Sequence, residues 1–197
     1  MIATYGLSAA AQLVLLNGTK KQGGDAMKLT VMELVAGGML RLENRGDDEA
    51  VAWVPEESAV PENDTLWSIY GAAKILGSAT EPATLMEIAH GAKWVKGDPR
   101  SSSTMGWVYR LPLKELYNRD LMHTNRRMLL PDKADVTAEG ETERLALQER
   151  LGTNEVEDLF GFGAVRDAWE SADEFAKALN RSTGSGGTPG DPANVMI

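Results

Sequence analysis

Cysteine is missing from all 197 residues. Its absence excludes disulfides, thiolate metal sites and cysteine nucleophiles, and it fits a reducing compartment. Histidine is scarce: His90 and His123 are the whole supply. Neither has a second ligand-type residue at a metal-binding spacing, so no zinc motif is present. Long apolar runs are missing too. The first one, Leu7 to Leu16, falls well short of the roughly 20 residues a spanning helix needs. It has no basic segment before it and no small-residue cleavage signal after it, so it reads as a buried helix rather than a leader. What remains is ordinary for a cytoplasmic globular protein, with 43% hydrophobic and 25% charged residues. That is enough apolar material for one large domain or two small ones.

The net charge of −9 is unevenly placed. Residues 1–92 carry 6 basic and 12 acidic side chains, a net of −6. Residues 93–133 carry 9 and 4, a net of +5, and residues 134–197 carry 5 and 13, a net of −8. The acidic balance disfavours nucleic acid as a partner. The basic middle can either meet an anionic surface or pair with the acidic segment that follows it.

Periodicity and capping chemistry predict a mainly α (α+β) fold: a helical domain with winged-helix-like helix–helix–hairpin units and short β-hairpins. Ser8 is a good N-cap for a first helix that stops at Asn17-Gly18. A second helix, 26–36, carries the stripe Met27, Val31, Leu34 and Val35 and ends at Gly37-Gly38. Met39–Glu43 and Ala50–Val54 then alternate as two strands around an Asn/Gly/Asp-rich turn. Residues 1–55 form this first unit, and 56–64 are an acidic linker. Residues 65–181 form a second helical unit, and the Gly/Ser/Pro-rich tail 182–197 is expected to be disordered. In the second unit, Asn63 or Asp64 caps a helix to Leu76, and Thr80 caps another with Pro82 near its first position. A helical segment from Trp107 to Arg119 restarts at Pro112. Leu121-Met122 and Met128–Leu130 pair around a turn at 123–127, Thr137 caps a helix to Leu151, and a last helix spans Ala164–Leu179.

Chemistry-bearing motifs are weak. The segment Gly18–Gly24 is glycine- and lysine-rich but lacks the order of a phosphate-binding loop and follows a helix. Adjacent acids such as Asp47-Asp48 and Glu56-Glu57 lie in turns and linkers, unlike the separated environments of an acid–base pair. Ser101–Ser103 has no nucleophile-elbow pattern. No enzyme, metal or cofactor is implied. The basic band is the feature with a binding chemistry: Lys93, Lys96, Arg100, Arg110, Lys114, Arg119, Arg126, Arg127 and Lys133. Arg110 and Lys114 are four residues apart, the spacing of one helix face. Trp94 and Trp107 flank the band's first loop, either as core residues or as anchors at a membrane interface.

Two stretches resemble the Golgi phosphoprotein 3 family, across about residues 8–151. The first is Leu13-Val14-Leu15-Leu16 followed by Met32-Glu33-Leu34-Val35-Ala36-Gly37-Gly38-Met39-Leu40-Arg41-Leu42. The second is Leu116-Tyr117-Asn118-Arg119-Asp120-Leu121-Met122, then Met128-Leu129-Leu130 and Thr137. The resemblance implies a mainly helical domain that binds phosphoinositide head groups at membranes and oligomerises through a β-hairpin. The family's lipid pocket uses a tryptophan and several arginines. By position the tryptophan falls at Gly18-Thr19 and the first arginine near Met27, while the later arginines fall near Tyr109 and Arg110, so Arg110 alone has a counterpart.

The expectation is therefore a non-enzymatic peripheral adaptor that meets anionic head groups through Arg110, Lys114, Arg119, Arg126, Arg127 and Trp107. The alternative is a winged-helix-like protein–protein scaffold that binds neither lipid nor DNA, with a second copy or another protein as partner. DNA reading is disfavoured because the second helix has Lys28 as its sole basic residue.

Overall fold

A computed structural model describes residues 6–18, 23–44, 50–94, 104–124 and 134–152. The chain is mainly helical, with short antiparallel strands. The expected last helix, Ala164–Leu179, and the expected tail lie outside the described residues.

The first helix, α1 (Ala9–Asn17), is the hub. The Ser8 side chain accepts the Ala11 N–H, and Gly18, at φ +77°, closes the far end by donating to the Val14 carbonyl at 2.8 Å. Every residue from Ala9 to Leu16 is buried. A helix apolar on all sides is stable only when surrounded, and α1 is packed by α2 (Gly23–Ala36), α6 (Pro112–Asn118) and α7 (Ala138–Leu151). The end of α2 turns at Gly38 (φ +70°), where the Met39 and Leu40 N–H groups both donate to the Leu34 carbonyl. That left-handed turn is what glycine permits at a helix end. It makes Met39 part of the helix stop, and the strand begins at Arg41.

The first sheet has three strands, β1 (Arg41–Asn44), β2 (Ala50–Trp53) and β3 (Ala83–Thr84), in the order β1-β2-β3. Arg41 opposes Trp53, and Val51 opposes Thr84. The third strand departs from expectation. A helix was expected to start at Thr80, but the Ser78 N–H bonds the Glu81 carbonyl and turns the chain back to β2. The following helix, α4 (Leu85–Trp94), starts only after Thr84. There the Thr84 hydroxyl accepts the Glu87 N–H while the Glu87 carboxylate accepts the Thr84 N–H at 2.9 Å, a reciprocal capping box. Glycine is required at Gly77, because a Cβ there would fall 2.6 Å from the Ala83 nitrogen.

The acidic linker is packed. Pro61 is buried, and the Ser58 and Tyr70 hydroxyls are 3.1 Å apart. It leads to α3 (Asp64–Leu76), where Asn63 Oδ1 accepts the Thr65 and Leu66 N–H groups. Further on, α5 (Thr104–Arg110) and α6 are split at Leu111, because Pro112 lacks an N–H and disfavours helical geometry in the residue before it. Asp120 leaves α6 at φ +56°, a conformation aspartate tolerates better than most residues.

A second hairpin follows. Strand β4 (Met122–Thr124) pairs antiparallel with β5 (Ala134–Val136), and the expected return strand Met128–Leu130 lies outside the described residues. The register is set by Thr137, whose N–H donates to the Leu121 carbonyl and whose hydroxyl donates to the Asp120 carbonyl at 2.7 Å. The same hydroxyl accepts the Gly140 N–H and caps α7. Gly140 sits so close to the chain that a Cβ would strike the Leu121 carbonyl. Residues 125–133 lie outside the described residues.

One apolar core joins both sides of the linker, from Leu15, Met27 and Met32 to Ile69, Trp107 and Leu147. Among the described residues, no helix is long and apolar enough to cross a membrane.

Candidate functional site

The structure divides the described part of the basic band into an inner and an outer set. Lys93, near the end of α4, is only 3% exposed, and burial lowers its pKa. Arg110 ends α5 and is half-buried; its Nη2 donates to the Lys93 carbonyl at 2.6 Å. A cation at the carbonyl end of a helix is favoured both by the hydrogen bond and by the helix dipole. Trp107 is 0% exposed, and its Nε1 donates to Ser68 Oγ at 2.9 Å. This corrects the expectation of a head-group contact: the indole packs in the core and its polar atom is satisfied there.

The outer set belongs to α6. The Lys114 side chain is 58% exposed, with Nζ 3.8 Å from Asp64 at the start of α3. Arg119 is exposed and its guanidinium lies beside Gly6. Because α5 and α6 are separate helices, Arg110 and Lys114 do not share a face of one continuous helix. Lys96, Arg100, Arg126, Arg127, Lys133 and the side chain of Trp94 lie outside the described residues.

A second polar feature, absent from the sequence reading, lies at the N-terminus of α1. The Ser8 N–H donates to Glu115 Oε2 at 3.0 Å, and the Ser8 hydroxyl donates to Glu115 Oε1 at 3.0 Å. The Thr65 hydroxyl of α3 also donates to Glu115 Oε1. The next amide, Ala9 N–H, donates to Glu33 Oε2 of α2 at 2.9 Å. Two carboxylates from different helices thus receive consecutive amides of the α1 start, where the helix dipole favours negative charge. Burial nevertheless raises the pKa of Glu33 from 4.5 to about 7; the Ala9 hydrogen bond opposes that rise and the charge of Glu115 adds to it. The signal was present in the sequence as a lone acid inside the apolar run Val31–Val35. Its partners were not visible, since Ser8 and Glu115 are 107 residues apart.

Elsewhere, Glu143 of α7 is buried, which raises its pKa; Arg150, 3.8 Å away, opposes the shift. His90 and His123 are both exposed. No group of three His, Asp or Glu side chains among the described residues is placed to hold a metal ion. Of the Gly18–Gly24 segment, Gly23 and Gly24 form the buried start of α2 and 19–22 lie outside the described residues.

No protein-family model, curated protein or solved structure matches this chain.

Proposed function

We propose that this chain is a non-enzymatic, cytoplasmic adaptor that attaches peripherally to anionic lipid, as its resemblance to the Golgi phosphoprotein 3 family implies. The observation that supports this reading is the outward placement of Lys114 and Arg119 on and just after α6. That helix leads into β4, and the segment joining β4 to β5 carries Arg126, Arg127 and Lys133. The contact is electrostatic, with Arg110 tying α5 to α4 and Trp107 tying it to α3. Sedimentation of the full chain with phosphatidylcholine vesicles, with and without phosphatidylserine or a phosphoinositide, tests it. Binding should need the anionic lipid and weaken with added salt. Equally negligible binding to all vesicles would remove the reading.

A protein–protein scaffold is the second reading, and a different surface favours it. Ile75 is 77% exposed at the end of α3, and Leu76 beside it and Met86 on α4 are exposed too. Ile75 and Leu76 are neighbours at the end of α3, and contiguous apolar exposure marks interaction surfaces. Light scattering after size exclusion tests a self-association through it: an oligomer that Ile75→Asp converts to monomer supports the reading. A wild-type chain that stays monomeric at high concentration counts against it.

A further inference from the structure

Apolar surface is left open where α3 ends. Ile75 and Leu76 are 77% and 47% exposed. Trp67, Gly71 and Ile75 are four residues apart and share one side of α3. Trp67 is half-buried, and its ring lies over Gly71, 3.3 Å from where a Cβ would stand, which carries the apolar strip on to Ile75. Leu76 lies against α4 in the space that Gly91 leaves, since a Cβ there would be 2.8 Å from Leu76 Cδ1. Met86 is exposed on α4 as well. Val60 and Leu145 are the other large apolar side chains exposed among the described residues. Neither has a large exposed apolar neighbour in sequence, and Leu145 has Glu141, Arg144 and Glu149 within about one turn.

The sequence holds one segment with the complementary need. Val165, Ala168, Ala172, Phe175 and Leu179 follow three- and four-residue steps, with Trp169 and Ala176 beside them, while Asp167, Glu170 and Glu174 fall on the opposite side. A helix of this length and pattern draws its stability from burying the apolar stripe against another surface. Residues 153–163 join Gly152 to Ala164, and a chain of that length spans up to about 40 Å when extended. That reaches most of the surface of a domain of this size, itself about 40 Å across.

We infer that residues 164–179 form a helix that lies in cis on the end of α3 and on α4, with the stripe of Trp169, Phe175 and Leu179 turned toward Ile75 and Leu76. The tether decides the occupant. A segment joined to the same chain by a short connection meets the surface at an effective concentration in the millimolar range, far above that of a second copy in dilute solution. None of these residues belongs to the outward-facing basic set, so the inference stands whether or not the lipid reading does. It sets the chain's own segment against a second copy as the cover of the surface on which the scaffold reading rests.

The lack of native cysteine makes thiol protection the test. The full chain carrying Ile75→Cys is reacted with a water-soluble thiol reagent, beside a full chain carrying Leu145→Cys as the uncovered reference. Without a cover, position 75 would react at least as fast, being the more exposed of the two. With it, Ile75→Cys should react about tenfold or more slowly than Leu145→Cys, at a ratio independent of protein concentration. Adding Trp169→Asp and Phe175→Asp together should release Ile75→Cys and leave Leu145→Cys unchanged. An Ile75→Cys that reacts as fast as Leu145→Cys in the otherwise wild-type chain overturns the inference without the aspartates. Protection that survives both aspartates overturns it too. Protection that grows with protein concentration overturns it in favour of a second copy, and protection of Leu145→Cys that the aspartates release overturns it in favour of α7 as the seat.

Discussion

One residue, Leu111, separates α5 from α6, yet the basic side chains on and just after these two short helices meet opposite surroundings. On α5, Trp107 and Arg110 are turned inward, the first to Ser68 and the second to the carbonyl end of α4. On and just after α6, Lys114 and Arg119 are turned outward. The proline that divides the helices resets the helical phase, so residues four apart no longer share a side. Positive charge in this band therefore has two different jobs. Part of it closes a helix inside the fold, and part of it is offered to the surroundings.

Substitutions can break or sharpen that contrast. The largest effect is expected from Trp107→Ala, which removes the largest fully buried side chain among the described residues and with it the N–H that donates to the Ser68 hydroxyl. It should cost about 3–5 kcal/mol in urea unfolding. A loss below about 1 kcal/mol would show that the indole is not a core element. Arg110→Ala comes next. It leaves the Lys93 carbonyl without its charged donor and should cost about 1–3 kcal/mol. A variant with unchanged stability but impaired vesicle binding would move Arg110 to the outer set. Lys114→Ala and Arg119→Ala should change stability least, by less than about 1 kcal/mol each, because exposed ion pairs contribute little. The same two variants should weaken binding to anionic vesicles measured at low salt. If they unfold the protein as strongly as Trp107→Ala does, the division between the two helices fails.

Local chemistry was the legible part of this fold. The caps at Ser8, Asn63 and Thr137 were readable because a side-chain oxygen bonds an amide only two or three residues away. The buried character of α1 was readable from the apolar stretch Ala9–Leu16, which Gln12 alone interrupts. Strand β3 was not, since two residues carry no alternation, and Thr80 with Pro82 imitates a helix start. The pairing of the second hairpin is set by what Thr137 bonds to on its far side, a contact that no local pattern announces. The facing of Trp107 and Arg110 was hidden because seven residues give too short a period to define a side. The carboxylate junction was hidden for a topological reason. Glu33, Thr65 and Glu115 come from three helices, and only the completed packing of α1 brings them together.

The double use of Thr137 carries a mechanical consequence. Its hydroxyl donates to the Asp120 carbonyl and accepts from the Gly140 amide, so the one oxygen is both the clasp of the β4–β5 hairpin and the first hydrogen bond of α7. The bonds that close the far end of the hairpin are therefore made by the residue that starts α7, which lies against α1. Hairpin end and helix start are thus fixed at one residue, and the three-residue strands are anchored to α7 as well as by their own few ladder bonds.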